Sequence, residues 1–174
     1  MRLSLGNLAL GAMISSSRVC IVGASASVAE SPPARLRLAL VRHGESLNNV
    51  HEAVSVEAYQ TGRVADPALS PRGQRQAELL AIHLGGEGGA ALNLQPIDEL
   101  WVSPHRRTLQ TAAPLAAALG LTPLVATRYF ESGGVFEAKD GTYTSYHAHG
   151  GLTRLQMRDE FPTYSLPDDV TETG

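Results

Sequence analysis

Three short apolar runs, at residues 36–41, 99–102 and 123–127, alternate with helix-length stretches, and that alternation limits the possible folds more than any other feature of the chain. Leu-Arg-Leu-Ala-Leu-Val at 36–41 is short, mostly apolar and soon followed by Gly44, which predicts a first strand buried inside a sheet. Glu-Leu-Trp-Val at 99–102 and the run at 123–127 read as the second and third strands. Between them, residues 45–59 lack Gly and Pro and can be helical. Ser70 is placed as an N-cap with Pro71 at the first helical position. Ala77, Leu80, Ala81 and Leu84 follow at i, i+3, i+4 and i+7, predicting a helix that ends near Gly85. Gly73 weakens that helix by about 1 kcal/mol relative to Ala. Residues 106–119 are rich in Ala and Leu and end at Gly120, a C-terminal capping residue. Pro114 lacks an N–H and disfavours helix at Ala113, so a kink or break is expected there. Residues 85–91 read as a Gly-rich surface loop, 133–151 as a long loop-rich stretch, and 152–161 as a last helix ended by Pro162.

Strand, helix, strand, helix, strand is the order of an α/β domain with a parallel sheet covered by helices. Ligands of such sheets bind beyond the carboxyl ends of the strands, which singles out the loops after Val41 and Val102. The Gly-rich runs lack the Lys-Ser/Thr of a nucleotide P-loop, and there is no internal repeat.

With 174 residues the chain has room for one ordinary domain. A formal charge of −3 lacks the basic surplus expected of a nucleic-acid partner or an anionic membrane surface. Cys20 is the single cysteine, so neither an internal disulfide nor a paired-Cys zinc site is available. No run of 18 uninterrupted apolar residues reads as a membrane-spanning helix. Residues 1–34 differ in composition: Arg2 and Arg18 are the only charges before Glu30, amid Ser, Ala and Gly. That suits an organelle transit peptide, a secretory signal with its apolar region at 19–28, or a disordered tail, and without a targeting segment the protein would be cytoplasmic. The domain is then expected over residues 35–174, after the stiff Ser31-Pro32-Pro33 junction.

Both strand-end loops carry chemistry. After the first run comes Arg42-His43-Gly44-Glu45-Ser46, with Asn49 three residues on. An imidazole can attack phosphorus, an adjacent guanidinium offers forked donors to phosphoryl oxygens, and Gly44 allows close backbone approach. After the second run, Ser103-Pro104-His105-Arg106-Arg107-Thr108-Leu109-Gln110-Thr111-Ala112 places two arginines at a helix start, where N–H groups also favour an anion. Alone, the first motif also fits a structural histidine and the second a solvated basic turn.

Together with Asp66-Pro67-Ala68-Leu69-Ser70-Pro71-Arg72-Gly73-Gln74-Arg75-Gln76-Ala77 between them, these blocks resemble the histidine phosphatase superfamily, also called phosphoglycerate mutase-like, from about residue 36 to 174. The resemblance implies a three-layer α/β/α fold with a mostly parallel central sheet. It also implies that His43 becomes phosphorylated and that Arg42 and Arg107 clamp the phosphoryl group, with Ser46, Asn49 and Gly44 as lesser ligands. Arg107 is preferred to Arg106 because the family's arginine directly precedes the Thr or Ala of that block. Glu131 is expected to protonate the leaving oxygen, with Glu137 in reserve. No metal or organic cofactor is implied, and the partner is a small phosphorylated substrate. His147-Ala148-His149 lies in an expected loop without further ligands, so metal binding is not favoured there.

Family members also keep a second histidine near the end of a later strand. No such block follows here, so the last strand or strands are expected to be missing and the core open on that side. Four readings follow: a phosphomonoester hydrolase, a mutase-type phosphotransferase, an inactive phosphate-binding or interaction module, and an unfolded fragment. The substrate and the oligomeric state are not legible in the sequence.

Overall fold

Ser46 opens the first helix. Its hydroxyl accepts the Asn49 N–H at 3.3 Å while Asn49 Oδ1 accepts the Ser46 N–H at 3.0 Å, a reciprocal cap that starts α1 (Leu47–Val54). The expected single helix over 45–59 is in fact two. Ser55 is extended at φ −170° and its hydroxyl accepts the Ala58 N–H at 3.0 Å, ending α1 and starting α2 (Val56–Gly62). The short hydroxyl side chain competes with the helical backbone, which is why the break falls at a serine. Ser70 caps α3 (Pro71–Gly85) as expected, taking the Gly73 N–H at 3.0 Å. The computed structural model describes residues 36–94, 96–129, 134–138 and 146–174, so the proposed targeting segment and Glu131 fall outside the described residues. Residues 37–174 form one compact unit, and of the other, Met1–Leu36, only Leu36 is described.

The loop expected at 85–91 contains a short helix, α4 (Glu87–Ala91). Gly88 packs closely on α3: a methyl there would meet the His83 ring. The next elements are β1 (Trp101–Val102), α5 (Arg106–Leu119) and β2 (Leu124–Val125). β1 and β2 pair in parallel, Trp101 opposite Leu124 and Val102 opposite Val125, and Ser165 bridges Leu124 in parallel on the other side. A parallel pair needs a long crossover, and α5 supplies it. This is an α/β arrangement with a small parallel sheet among the described residues. Past it lie an antiparallel pair, β3 (Phe136–Ala138) with β4 (Tyr146–Ala148), and α6 (Arg154–Glu160), capped by Thr153. His147, expected in a loop, lies in β4.

Two further expectations change. Residues 36–41 form no ladder, and Leu38 and Leu40 are 72% and 88% exposed. An apolar run becomes a strand only when a neighbour takes its backbone N–H and C=O groups, and none of the described strands pairs with it. Arg37 instead holds the segment to the turn after α4, donating to Asn93 Oδ1 at 2.8 Å. Pro114 neither breaks nor ends α5, which runs unbroken to Gly120 in the left-handed conformation (φ 65°). The lost hydrogen bond is tolerated because the helix is packed on both sides. Leu109 and Ala112 join Val102, Val125, Leu152, Met157 and Phe161 in the main core, while Leu115 meets Ala81 and Leu84 of α3.

Candidate active site

The Arg42-His43-Gly44 turn is fastened to two helices. The Gly44 N–H donates to Thr111 Oγ1 of α5 at 3.0 Å, and that hydroxyl donates in turn to the Arg107 carbonyl at 2.7 Å. On the α3 side, a methyl on Gly44 would lie 2.6 Å from the Gly73 carbonyl oxygen, and one on Gly73 would lie 2.0 Å from the Glu45 carbonyl oxygen. Two glycines therefore let the turn and the first turn of α3 touch backbone to backbone. Glu45 completes the join: its N–H donates to Gln76 Oε1 at 2.8 Å, its carbonyl accepts the Ser70 N–H at 2.8 Å, and Oε1 accepts the Ser70 hydroxyl at 2.6 Å.

His43 is half-buried, with Nδ1 2.7 Å from the Gly44 carbonyl oxygen. A carbonyl can only accept, so Nδ1 carries the proton and donates, and in the neutral ring Nε2 keeps its lone pair. Arg42, just before it, is exposed. Arg107 is buried, at 9% exposure, in the first turn of α5. Arg106 is committed elsewhere, its guanidinium donating to Glu160 Oε1 at 2.8 Å.

Ser46 and Asn49 are joined to each other: the Ser46 hydroxyl donates to Asn49 Oδ1 at 2.9 Å in the cap of α1. The Gly44 N–H is likewise used by Thr111. Glu131 lies outside the described residues; Glu137 sits in β3, its backbone opposite His147. Among the described residues no group of three His, Cys, Asp or Glu side chains could hold a metal ion, and no helix is long and apolar enough to cross a membrane.

The contact made by Asp66 was not foreseen from the sequence. Both carboxylate oxygens accept the Arg106 N–H, at 3.0 and 3.1 Å, while His105, the residue before α5, makes no side-chain cap. Burial pushes the Asp66 carboxyl above its ordinary 3.8, against the lowering effects of the Arg106 N–H and of the Arg107 and Arg106 charges, with Glu160 adding to the rise. Thr111, Gln110 and Gln76 were also missed as scaffold; Gln110 Oε1 accepts the Leu69 N–H at 2.7 Å. A cavity of about 370 Å³ is bordered by Pro104 and His105 after β1 and Thr127 after β2, and none of Arg42, His43 and Arg107 lines it.

The sequence pattern of the histidine phosphatase superfamily (branch 1) matches residues 38–149, well over half of the chain. The chain belongs to this superfamily. Within the histidine phosphatases, it is 38% identical over 96 residues to phosphoserine phosphatase 1 of Hydrogenobacter thermophilus, covering 55% of this chain and 38% of that protein. Among solved structures, a mycobacterial glucosyl-3-phosphoglycerate phosphatase in complex with VO3 aligns at 27% identity with a TM-score of 0.38, covering 69% of this chain and 44% of the other. The structure named mycobacterial hydrolase 1 aligns likewise, at 27% identity and a TM-score of 0.38, with 69% and 45% covered. This histidine phosphatase chain thus spans less than half the length of the relatives it matches.

Proposed function

We propose that the chain acts as a phosphomonoester hydrolase through a phosphohistidine on His43. The observation that carries this reading is the 2.7 Å contact from His43 Nδ1 to the Gly44 carbonyl, which supports Nε2 as the attacking nitrogen. In the first step Nε2 bonds to phosphorus and the ester P–O bond breaks, with Glu131 protonating the departing alkoxide. In the second step, water gives its proton to Glu131 and attacks phosphorus, the N–P bond breaks, and inorganic phosphate leaves. Arg42 and Arg107 balance charge on the equatorial oxygens during both transfers. Ser46 and Asn49 are assigned lesser contacts to phosphate, and Gly44 the close approach of its turn. No metal or organic cofactor enters these steps. Membership of the superfamily and the similarity to a phosphoserine phosphatase support phosphatase activity on a small phosphorylated substrate.

The test is incubation of the chain with p-nitrophenyl phosphate, wild type beside His43→Ala. The reading expects acid-labile, base-stable phosphate on the wild-type protein alone, with release of p-nitrophenol. Phosphate binding without a phosphoprotein in either would replace it with the inactive phosphate-binding module.

A further inference from the structure

α5 begins without a cap of its own. A helix start leaves its first N–H groups without intrahelical partners, and a side chain at the residue before it ordinarily takes one of them. His105 does not; its Nδ1 is 3.0 Å from the Ser103 hydroxyl instead. The carboxylate that fills this place comes from Asp66, 40 residues upstream, and holds the Arg106 N–H with both oxygens. The Arg106 guanidinium is held separately by Glu160 at 2.8 Å. The residue immediately before Arg107 is therefore fixed at its backbone and at its side chain. One turn later Thr111 joins the Arg107 carbonyl to the Gly44 N–H. Arg107 is bracketed between two fastenings, and only the second runs to the histidine turn.

We infer that Asp66 is a positioning residue for the phosphate clamp: its carboxylate sets the first turn of α5 and, through it, where Arg107 presents its guanidinium. The inference rests on the proposed part of Arg107 in phosphate binding. Asp66 touches neither His43 nor substrate in this scheme; it acts through the Arg106 peptide. The geometric part of this positioning is the hydrogen-bond acceptor, since the contact is to the Arg106 backbone N–H, while the charges of Arg107 and Arg106 also face the carboxyl. Asn keeps an acceptor oxygen at the same reach, whereas Glu keeps the charge and moves it by one methylene. These two substitutions therefore separate geometry from charge.

The experiment measures two quantities on the full chain: affinity for inorganic phosphate by calorimetry, and the rate of p-nitrophenyl phosphate turnover per phosphorylatable site. Asp66→Ala and Asp66→Glu are expected to lower both by about tenfold or more, as small displacements of a clamping group do. Asp66→Asn is expected to stay within about threefold of wild type, since it keeps the acceptor. In an Arg107→Ala background, Asp66→Glu is expected to add nothing, because the residue it serves is gone. Equal losses with and without Arg107, a wild-type-like Asp66→Glu beside an impaired Asp66→Asn, or a wild type that binds no phosphate would each overturn the inference. If Asp66→Ala does not fold, the Asn and Glu variants carry the comparison. Absence of phosphohistidine would sink the hydrolase reading alone, since the phosphate affinities still decide the place of Asp66.

Discussion

The Gly44 N–H donates to Thr111 Oγ1 at 3.0 Å, across 67 residues of sequence, and the same hydroxyl donates to the Arg107 carbonyl at 2.7 Å. One side-chain oxygen thus joins the turn that carries the proposed nucleophile to the helix that carries the proposed clamp. Gly44 and Thr111 are both buried, so water cannot replace the bond. Thr111→Val keeps the volume and removes the acceptor, and is expected to cost about 1–3 kcal/mol for the stranded Gly44 N–H. Thr111→Ser keeps the hydroxyl and loses only a methyl, at about 0.8 kcal/mol. Urea unfolding of the two variants checks the order, and phosphate affinity should follow it.

Gly73→Ala sets two effects against each other. Alanine in a helix is favoured over glycine by about 1 kcal/mol. The new methyl would, however, lie 2.0 Å from the Glu45 carbonyl oxygen, a backbone atom already bonded to the Ser70 N–H. Forcing atoms into a packed site costs about 1–3 kcal/mol and shifts the backbone. The clash should win, lowering the melting temperature and displacing the His43 turn, so that phosphate affinity falls as well. A stabilised Gly73→Ala protein would mean that the turn and α3 are not in contact.

These cases show what the sequence made legible. α3 was readable because its signals are local: Ser70 as cap, Pro71 behind it and a helical apolar period ending at Gly85. α5 and its Gly120 cap were readable for the same reason, and the runs around Trp101 and Leu124 were found to within a few residues. Residues 36–41 failed because strand formation depends on a partner elsewhere in the chain. The break expected at Pro114 did not occur, in a helix whose residues pack into two core clusters. The arginine and histidine candidates stood out as chemical types in ordered blocks. Asp66 did not, because its partner is a backbone N–H 40 residues away that no spacing rule connects to it.

The Asp66 carboxyl should leave a mark on the pH dependence of stability. Its folded-state value is raised above 3.8, first by burial, and the charged groups facing it are Arg107, Arg106 and Glu160. The folded state then binds more protons than the unfolded state in the window just above 3.8, so this group's contribution to stability falls as pH rises through it. Asp66→Asn removes the titration. The melting temperature of the variant minus that of wild type should therefore grow from pH 4 to pH 6, as read by circular dichroism in one buffer series. A flat difference would mean that the carboxyl titrates alike in both states.

Tyr164 gives the alkaline counterpart. Its hydroxyl donates to the Leu109 carbonyl at 2.7 Å inside the main core, beside Phe161. Burial pushes its phenol well above the ordinary value of 10.0. Above pH 10 the unfolded chain sheds this proton while the folded chain keeps it, so stability from this group is present below 10 and is lost as pH rises beyond. Tyr164→Phe keeps the ring, leaves the Leu109 carbonyl one bond short and is expected to cost about 1 kcal/mol at neutral pH. The same substitution abolishes this part of the alkaline loss, so the wild-type and variant melting curves should converge between pH 10 and 11. Parallel curves over that range would place the phenol in water rather than in the core.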